Sequence, residues 1–313
     1  MRILLALLLL APAAASAALP SKAGTSGAQF LKLGAGARAG GMADAFAAIA
    51  DDATAAYYNP AGLTQLRGAQ LHGAHTMYFE GINYEVLNFA YPWAREELYS
   101  RHVLALGVYH LSVGEIERRV SDTTGSIGTF DASDGAYGLS YAYAFDRRLS
   151  LGLTGKYVAQ TIDSYKATSF AADAGVMWKP NPDAVRPYTL AAVVKNAGSK
   201  PKFAGVEDPL PVGGVLAFGW EAVPNVLKLD LEAAKYRDTR PFGSLGSEYR
   251  HHFNTALAGA LRFGYTTHYR DTGGMAGLAL GAGVQWHRMG LDIAWLPFGT
   301  LGNTFRYSLV VRF

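Results

Sequence analysis

The 313-residue sequence predicts an all-β membrane protein, an antiparallel outer-membrane β-barrel of about 14 strands with a small N-terminal helical hatch. Three observations predict it. Apolar residues recur at every second position in short blocks from about residue 67 to the end, the period of a strand. The two faces differ in size: in GAYGLSYAYAF, Tyr137, Leu139, Tyr141, Tyr143 and Phe145 oppose Ala136, Gly138, Ser140, Ala142 and Ala144. Finally, nothing beyond residue 17 approaches 18 consecutive apolar residues, so a helical membrane protein is excluded.

The chain opens MRILLALLLLAPAAASA, one cation, a short apolar run and then small residues. That layout reads as a cleaved secretory signal peptide over residues 1–17, followed by a hatch over 18–66 and a barrel over 67–313. No cysteine is present, which removes disulfides, thiolate metal sites and lipidation at an N-terminal cysteine. Loss of Arg2 would leave 27 basic against 25 acidic residues without a basic block, so no nucleic-acid partner is expected. The 36 glycines need a reason, because glycine weakens ordinary strands.

In the hatch, Phe46, Ala50, Ala53 and Tyr57 follow steps of four, three and four, one face of a helix over Met42–Tyr58 that Asp51 and Asp52 interrupt. Pro60 ends it at Asn59, and Gly62 permits a sharp change of direction. Asn59 would gate by changing its hydrogen bonds or simply cap the turn; Asp51 and Asp52 would pair with lumen cations or serve as caps. So short a helical segment needs a docking surface, which the small inner faces of the strands provide. The inward-facing charges Lys156, Asp173, Asp230 and Arg262 are candidates to bond its exposed backbone.

The strands follow in order. Leu149, Leu151, Leu153 and Tyr157 oppose Ser150, Thr154 and Lys156; Leu227, Leu229 and Leu231 oppose Lys228, Asp230 and Glu232. Leu257, Leu261, Phe263 and Tyr265 continue the pattern, as do Leu278, Leu280, Val284 and Trp286, and finally Phe305, Tyr307, Leu309, Val311 and Phe313. About 14 segments fit at roughly 18 residues each, and 12 fit nearly as well. The tight connections at 146–148 and 287–288 follow even strands. The polar stretches 114–134 and 199–209 follow odd ones, as short periplasmic turns and longer outer loops would. Trp93, Trp178, Trp220 and Trp286 fall near even-strand ends, a periplasmic girdle, and Trp295 near an odd one. A soluble sandwich would alternate too, yet its small face would fill a core poorly and its greasy face would lie exposed.

The run FLKLGAGARAGGMADAFAAIADDATAAYYNPAGL, residues 30–63, resembles the N-terminal signature of the PorV/PorQ branch of the FadL-like (OMPP1/FadL/TodX-type) outer-membrane proteins. LGNTFRYSLVVRF is similar to its closing strand, and SLGLTGKYVAQTIDSYKATSFAADAGVMWKPN and YTLAAVVKNAG to its middle strands. The resemblance implies residence in the outer membrane of a Gram-negative-type bacterium, a 14-stranded barrel with an N-terminal hatch, and contact with outer-membrane lipid. It also implies one of two functions: passage of hydrophobic, long-chain fatty-acid-like molecules past the hatch, or collection of secreted cargo proteins as a non-conducting partner in type IX secretion. Outer-membrane barrels commonly end in an aromatic, and by that likeness Phe313 is expected to engage the barrel-assembly machinery. The chain is shorter than FadL-type transporters and lacks room for their longest loops.

On the transport reading, Asn59, Pro60, Ala61 and Gly62 form the gate, and Phe30, Phe46, Tyr57 and Tyr58 contact the ligand. No catalytic residue, cofactor or metal is expected. His72 and His75 would face opposite sides of a strand, as would the adjacent His251 and His252. No nucleophile elbow, phosphate loop or His-Glu-x-x-His helix occurs. An outer-membrane hydrolase with Ser and His brought together in the wall is a third reading, without a local motif.

Overall fold

A computed structural model describes residues 22–119, 125–269 and 273–313. The predicted signal peptide and the first hatch residues, 18–21, lie outside the described residues. Fourteen antiparallel strands close a barrel: β1 (Gln70–Met77), β2 (Ile82–Arg95), β3 (Ser100–Arg118), β4 (Gly128–Ala144), β5 (Leu149–Ile162), β6 (Tyr165–Trp178) and β7 (Tyr188–Gly198), then β10 (Gly213–Val223), β11 (Leu227–Tyr236), β12 (Phe242–His252), β13 (Leu257–Thr266), β14 (Leu278–Trp286), β15 (Met289–Pro297) and β16 (Asn303–Arg312). The short β8 (Lys202–Phe203) and β9 (Val206–Glu207) form a separate hairpin between β7 and β10. β1 pairs with β16, from Gln70↔Arg312 to Met77↔Phe305, and that seam removes the open edges. Of the two strand counts the sequence allows, the structure takes 14.

Side-chain size decides which face turns inward. Tyr137, Leu139 and Tyr141 of β4, and Phe145 just past its end, lie on the outer surface, while Ala136, Ser140, Ala142 and Ala144 are buried behind them. The same division holds on β5, where Leu151, Leu153 and Tyr157 are exposed and Thr154 and Lys156 buried. The outer wall is thus a continuous apolar belt, and the polar residues collect inside, the reverse of a water-soluble sandwich. Among the described residues no helix is long and apolar enough to cross a membrane.

Connections differ at the two ends. At the end holding the start of β1 and Phe313, the turns at 145–148, 224–226, 253–256 and 287–288 are short. At the opposite, loop end, the stretch 114–134 is not the long loop that its polarity suggests: β3 continues to Arg118 and β4 begins at Gly128, so most of it extends the paired strands. Ladder hydrogen bonds satisfy this polar backbone as well as water does, so polarity alone does not mark a loop.

The predicted helix over Met42–Tyr58 is not formed. Among its described residues the N-terminal segment holds only helical pieces of one or two turns, Gln29–Lys32, Ala37–Gly40, Ala55–Tyr58 and Pro60–Gln65, joined by tight bends. Its alanines and glycines favour close contact on several sides over one amphipathic stripe, and the buried cluster formed by Phe46, Ala50, Ala53, Tyr57 and Leu63 is built by bends. The segment threads the lumen lengthwise. Gly27 donates to the Pro209 carbonyl at the loop end (3.0 Å), whereas the Leu66 carbonyl accepts from Ser100 near the other end and Phe313 donates to Ala69 (2.9 Å).

Candidate functional site

The barrel glycines acquire their reason where this segment meets the wall. A Cβ on Gly264 would overlap the Met42–Ala43 peptide, and one on Gly152 or Gly175 would strike the Asn59–Pro60–Ala61 backbone or the Asn59 side chain. The hatch backbone therefore lies directly on the strands, an approach that a side chain prevents.

The Asn-Pro-Ala-Gly element follows from the same crowding. Asn59 is fully buried; its Oδ1 accepts from the Ala61 amide (3.1 Å), capping the turn that Pro60 begins. Its Nδ2 donates to the Ala47 carbonyl (3.0 Å) within the hatch and to the Val176 carbonyl of β6 (3.4 Å). Gly62 passes so close to the Ala50 carbonyl that no side chain fits. Asn59 is thus at once a cap, an internal brace and a tie to the wall.

Electrostatics fasten the hatch elsewhere. Arg38 holds Glu248 of β12 through Nε and Nη2, both at 2.8 Å, and reaches Asp52 (2.9 Å) and Asp51 (2.5 Å) through Nη1. Arg262 of β13 shares Glu248 (2.7 Å) and pairs with Asp292 (2.8 Å). Burial alone would raise the Asp51 carboxyl, but Arg38 and Lys228 outweigh it and hold it well below the usual carboxylate range. Asp44 accepts from Arg306 of β16 (2.7 Å) and from the Tyr58 hydroxyl (2.6 Å).

The four sequence-predicted lumen charges divide in two. Asp230 on β11 accepts from the Ala48 amide (3.0 Å), and its neighbour Glu232 accepts from Phe46 (2.7 Å) and Ala47 (2.6 Å). Two carboxylates thus grip three consecutive hatch amides, Phe46 to Ala48. Lys156 and Asp173 instead pair with each other (2.8 Å), and both bond Asn196. Arg262 bonds side chains rather than hatch backbone.

The gripped strip separates two cavities. The loop-end chamber, 250 Å³, is lined by Tyr57, Tyr58, Lys195, Phe242 and Tyr269 among others, with Ala47 as part of its wall. The second, 370 Å³, lies toward the end holding Phe313, with Ala48, Ile49, Asp51, Gln65, Lys179 and Trp220 in its lining. Ala47 lines the first and Ala48 and Ile49 the second, so the strip stands between them. Of the four aromatic ligand candidates, Tyr57 and Tyr58 reach the loop-end chamber, whereas Phe30 and Phe46 are buried in the hatch core and line neither cavity. Asn59 to Gly62 line neither as well; they brace the strip from behind.

The chamber is lined by more apolar than polar surface, and several of its polar side chains are engaged. The Tyr57 hydroxyl donates to the Leu31 carbonyl (3.1 Å) and that of Tyr58 to Asp44, which leaves the rings as their contribution to the lining. Burial pushes His268, in the loop after β13, down to about 4, with Lys32 acting in the same direction, so its ring is neutral at pH 7. Sequence reading missed Lys195, Glu232, Glu248 and Arg38. Strand parity was the available signal for Lys195: in YTLAAVVKNAG it shares the inward row with Thr189, Ala191 and Val193.

No family model and no curated protein matches the sequence. Among solved structures, the chain is similar to the Ralstonia pickettii toluene transporter TbuX (TM-score 0.58, 13% identity, 90% of this chain and 98% of that one). It is also similar to the CymD monoaromatic hydrocarbon channel (0.60, 12%, 90% and 98%) and to a Pseudomonas aeruginosa FadL homologue (0.52, 13%, 89% and 100%). At this identity the likeness is one of fold, and it reaches barrels of the FadL/TodX type.

Proposed function

We propose that the protein resides in the outer membrane and lets small hydrophobic compounds pass from the loop-end chamber to the opposite cavity when the strip Phe46 to Ile49 moves. The observation that carries this reading is the partition itself: two cavities separated by a few hatch residues held to the wall by hydrogen bonds. The fold shared with a toluene transporter and a monoaromatic hydrocarbon channel supports the class of cargo. The chamber is too small for a drug-sized ligand, whose pockets take about 300–1,000 Å³, and therefore suits a compact one. Long-chain fatty acids fit this volume poorly.

The test uses the absence of native cysteine. Ala48 Cβ lies 3.1 Å from the place a Cβ on Gly219 of β10 would occupy and Ile49 Cγ2 2.8 Å from it, so a shift of the strip by a few tenths of an ångström brings the pair to the roughly 3.5–4.5 Å a disulfide needs. In vesicles carrying the Ala48→Cys, Gly219→Cys protein, oxidation should stop toluene entry and a reductant restore it. Entry at the same rate with the strip pinned would refute the proposal.

A second reading, a non-conducting PorV-like partner that collects cargo proteins for type IX secretion, is favoured by how tightly the hatch is seated, its residues 34–64 being almost all buried. Toluene entry no faster than in protein-free vesicles, with binding of a secreted protein's sorting domain, would decide for it.

A further inference from the structure

Lys195 stands apart from the other buried cations of the lumen. Arg38, Arg262, Arg306, Lys156 and Lys32 each hold a carboxylate within 3.2 Å. Lys195 is 4% exposed, and among the described residues no carboxylate lies within ion-pairing distance of its Nζ. Its amine sits over the Tyr57 ring, 3.9 Å from the centroid, and 5.6 Å from that of Tyr58, in the wall of the loop-end chamber.

We infer that this chamber binds a compact aromatic amphiphile with a single anionic head, Lys195 receiving the head and the faces of Tyr57, Tyr58 and Phe242 the ring. The inference rests on the passage reading and narrows its cargo. A buried cation with no carboxylate in contact is costly, since Asp173, Glu232 and Asp44 act on it only from a distance, and the ring faces offset only part of that cost, so an incoming anion gains what the fold withholds. The two acids lining the chamber are committed elsewhere. Glu232 takes two hatch amides, and Asp44 takes Arg306 and the Tyr58 hydroxyl. The Tyr57 and Tyr58 hydroxyls are likewise engaged, and Lys32, the other lysine of the lining, is held by Asp238, so Lys195 is the charged group of the lining left to orient a guest against aromatic faces. A volume of 250 Å³ limits that guest to about one ring and a short chain.

Calorimetric titration of the full chain in mild detergent with 3-phenylpropanoate and its uncharged amide tests the assignment. The acid should bind at least tenfold more tightly than the amide. Lys195→Met should bring the two together, and Lys195→Arg should keep the preference, with folding of each variant checked by heat-modifiable migration on a gel. Equal affinities in the unaltered protein would overturn the inference, as would an acid preference that survives in Lys195→Met. Should Lys195→Met not fold, the comparison in the unaltered protein decides alone. Toluene entry without any acid preference sinks this inference and leaves the passage reading intact; acid preference without toluene entry sinks the passage reading and leaves the binding site.

Discussion

Arg38 and Glu248 lie 210 residues apart and meet through two hydrogen bonds of 2.8 Å, one hatch cation against one wall anion. Glu248 also serves Arg262 and Arg250, so one carboxylate holds three guanidinium groups. Glu248→Ala should therefore cost about 3–5 kcal/mol, the effect of leaving buried charges unpaired. The temperature at which the barrel loses its compact migration on a gel should fall accordingly.

Acid should loosen the hatch through Asp51. Its folded value is depressed, so its contribution is complete above the unfolded value of about 3.9 and disappears as pH falls through the lower folded value. Because 23% of its side chain stays in water, solvent screening keeps the effect modest. Pepsin cleavage within residues 22–66 should rise as pH drops below about 4, and Asp51→Asn should flatten that rise.

Gly264→Ala should unseat the hatch at Met42, where the new Cβ meets backbone that cannot move aside, at a cost of about 1–3 kcal/mol. Gly155→Ala, where nothing lies within 4 Å, is the matched control and should leave stability unchanged. Thermal denaturation of the two variants in the same detergent makes the comparison.

Asn59→Ala removes a cap and two donors, and it strands the Ala47 carbonyl in a buried site, for about 1–3 kcal/mol. Toluene entry into vesicles should increase. Asn59→Asp keeps the acceptor for Ala61 but turns a carboxylate oxygen toward the Ala47 and Val176 carbonyls in a fully buried site, so it should cost at least as much as the alanine.

Leu153 is 61% exposed on the outer wall, in the middle of β5. Leu153→Arg should lower stability in lipid by about 2–4 kcal/mol, as a charge near the bilayer midplane does. An unchanged stability in vesicles would place this row in water.

Strand period, face polarity and end-to-end parity are local properties, readable one residue at a time. The sequence by itself determined the barrel, the outward rows of Leu153 and Tyr137, and the docking need of a segment too short to fold alone. It could not decide between 12 and 14 strands, because closure depends on where β1 and β16 pair, a contact between the two ends of the barrel sequence. Nor could it show that Met42 to Tyr58 would bend: helical spacing and multi-sided packing of alanines look alike until the wall is present. The pairing of charges was equally hidden. Lys156 and Lys195 look the same in sequence, both lysines on an inward row, and only the tertiary arrangement gives one its aspartate and leaves the other over a tyrosine ring. Which anions surround a buried cation depends on residues brought together from distant strands, and that information is held in the closed barrel rather than in any local stretch of chain.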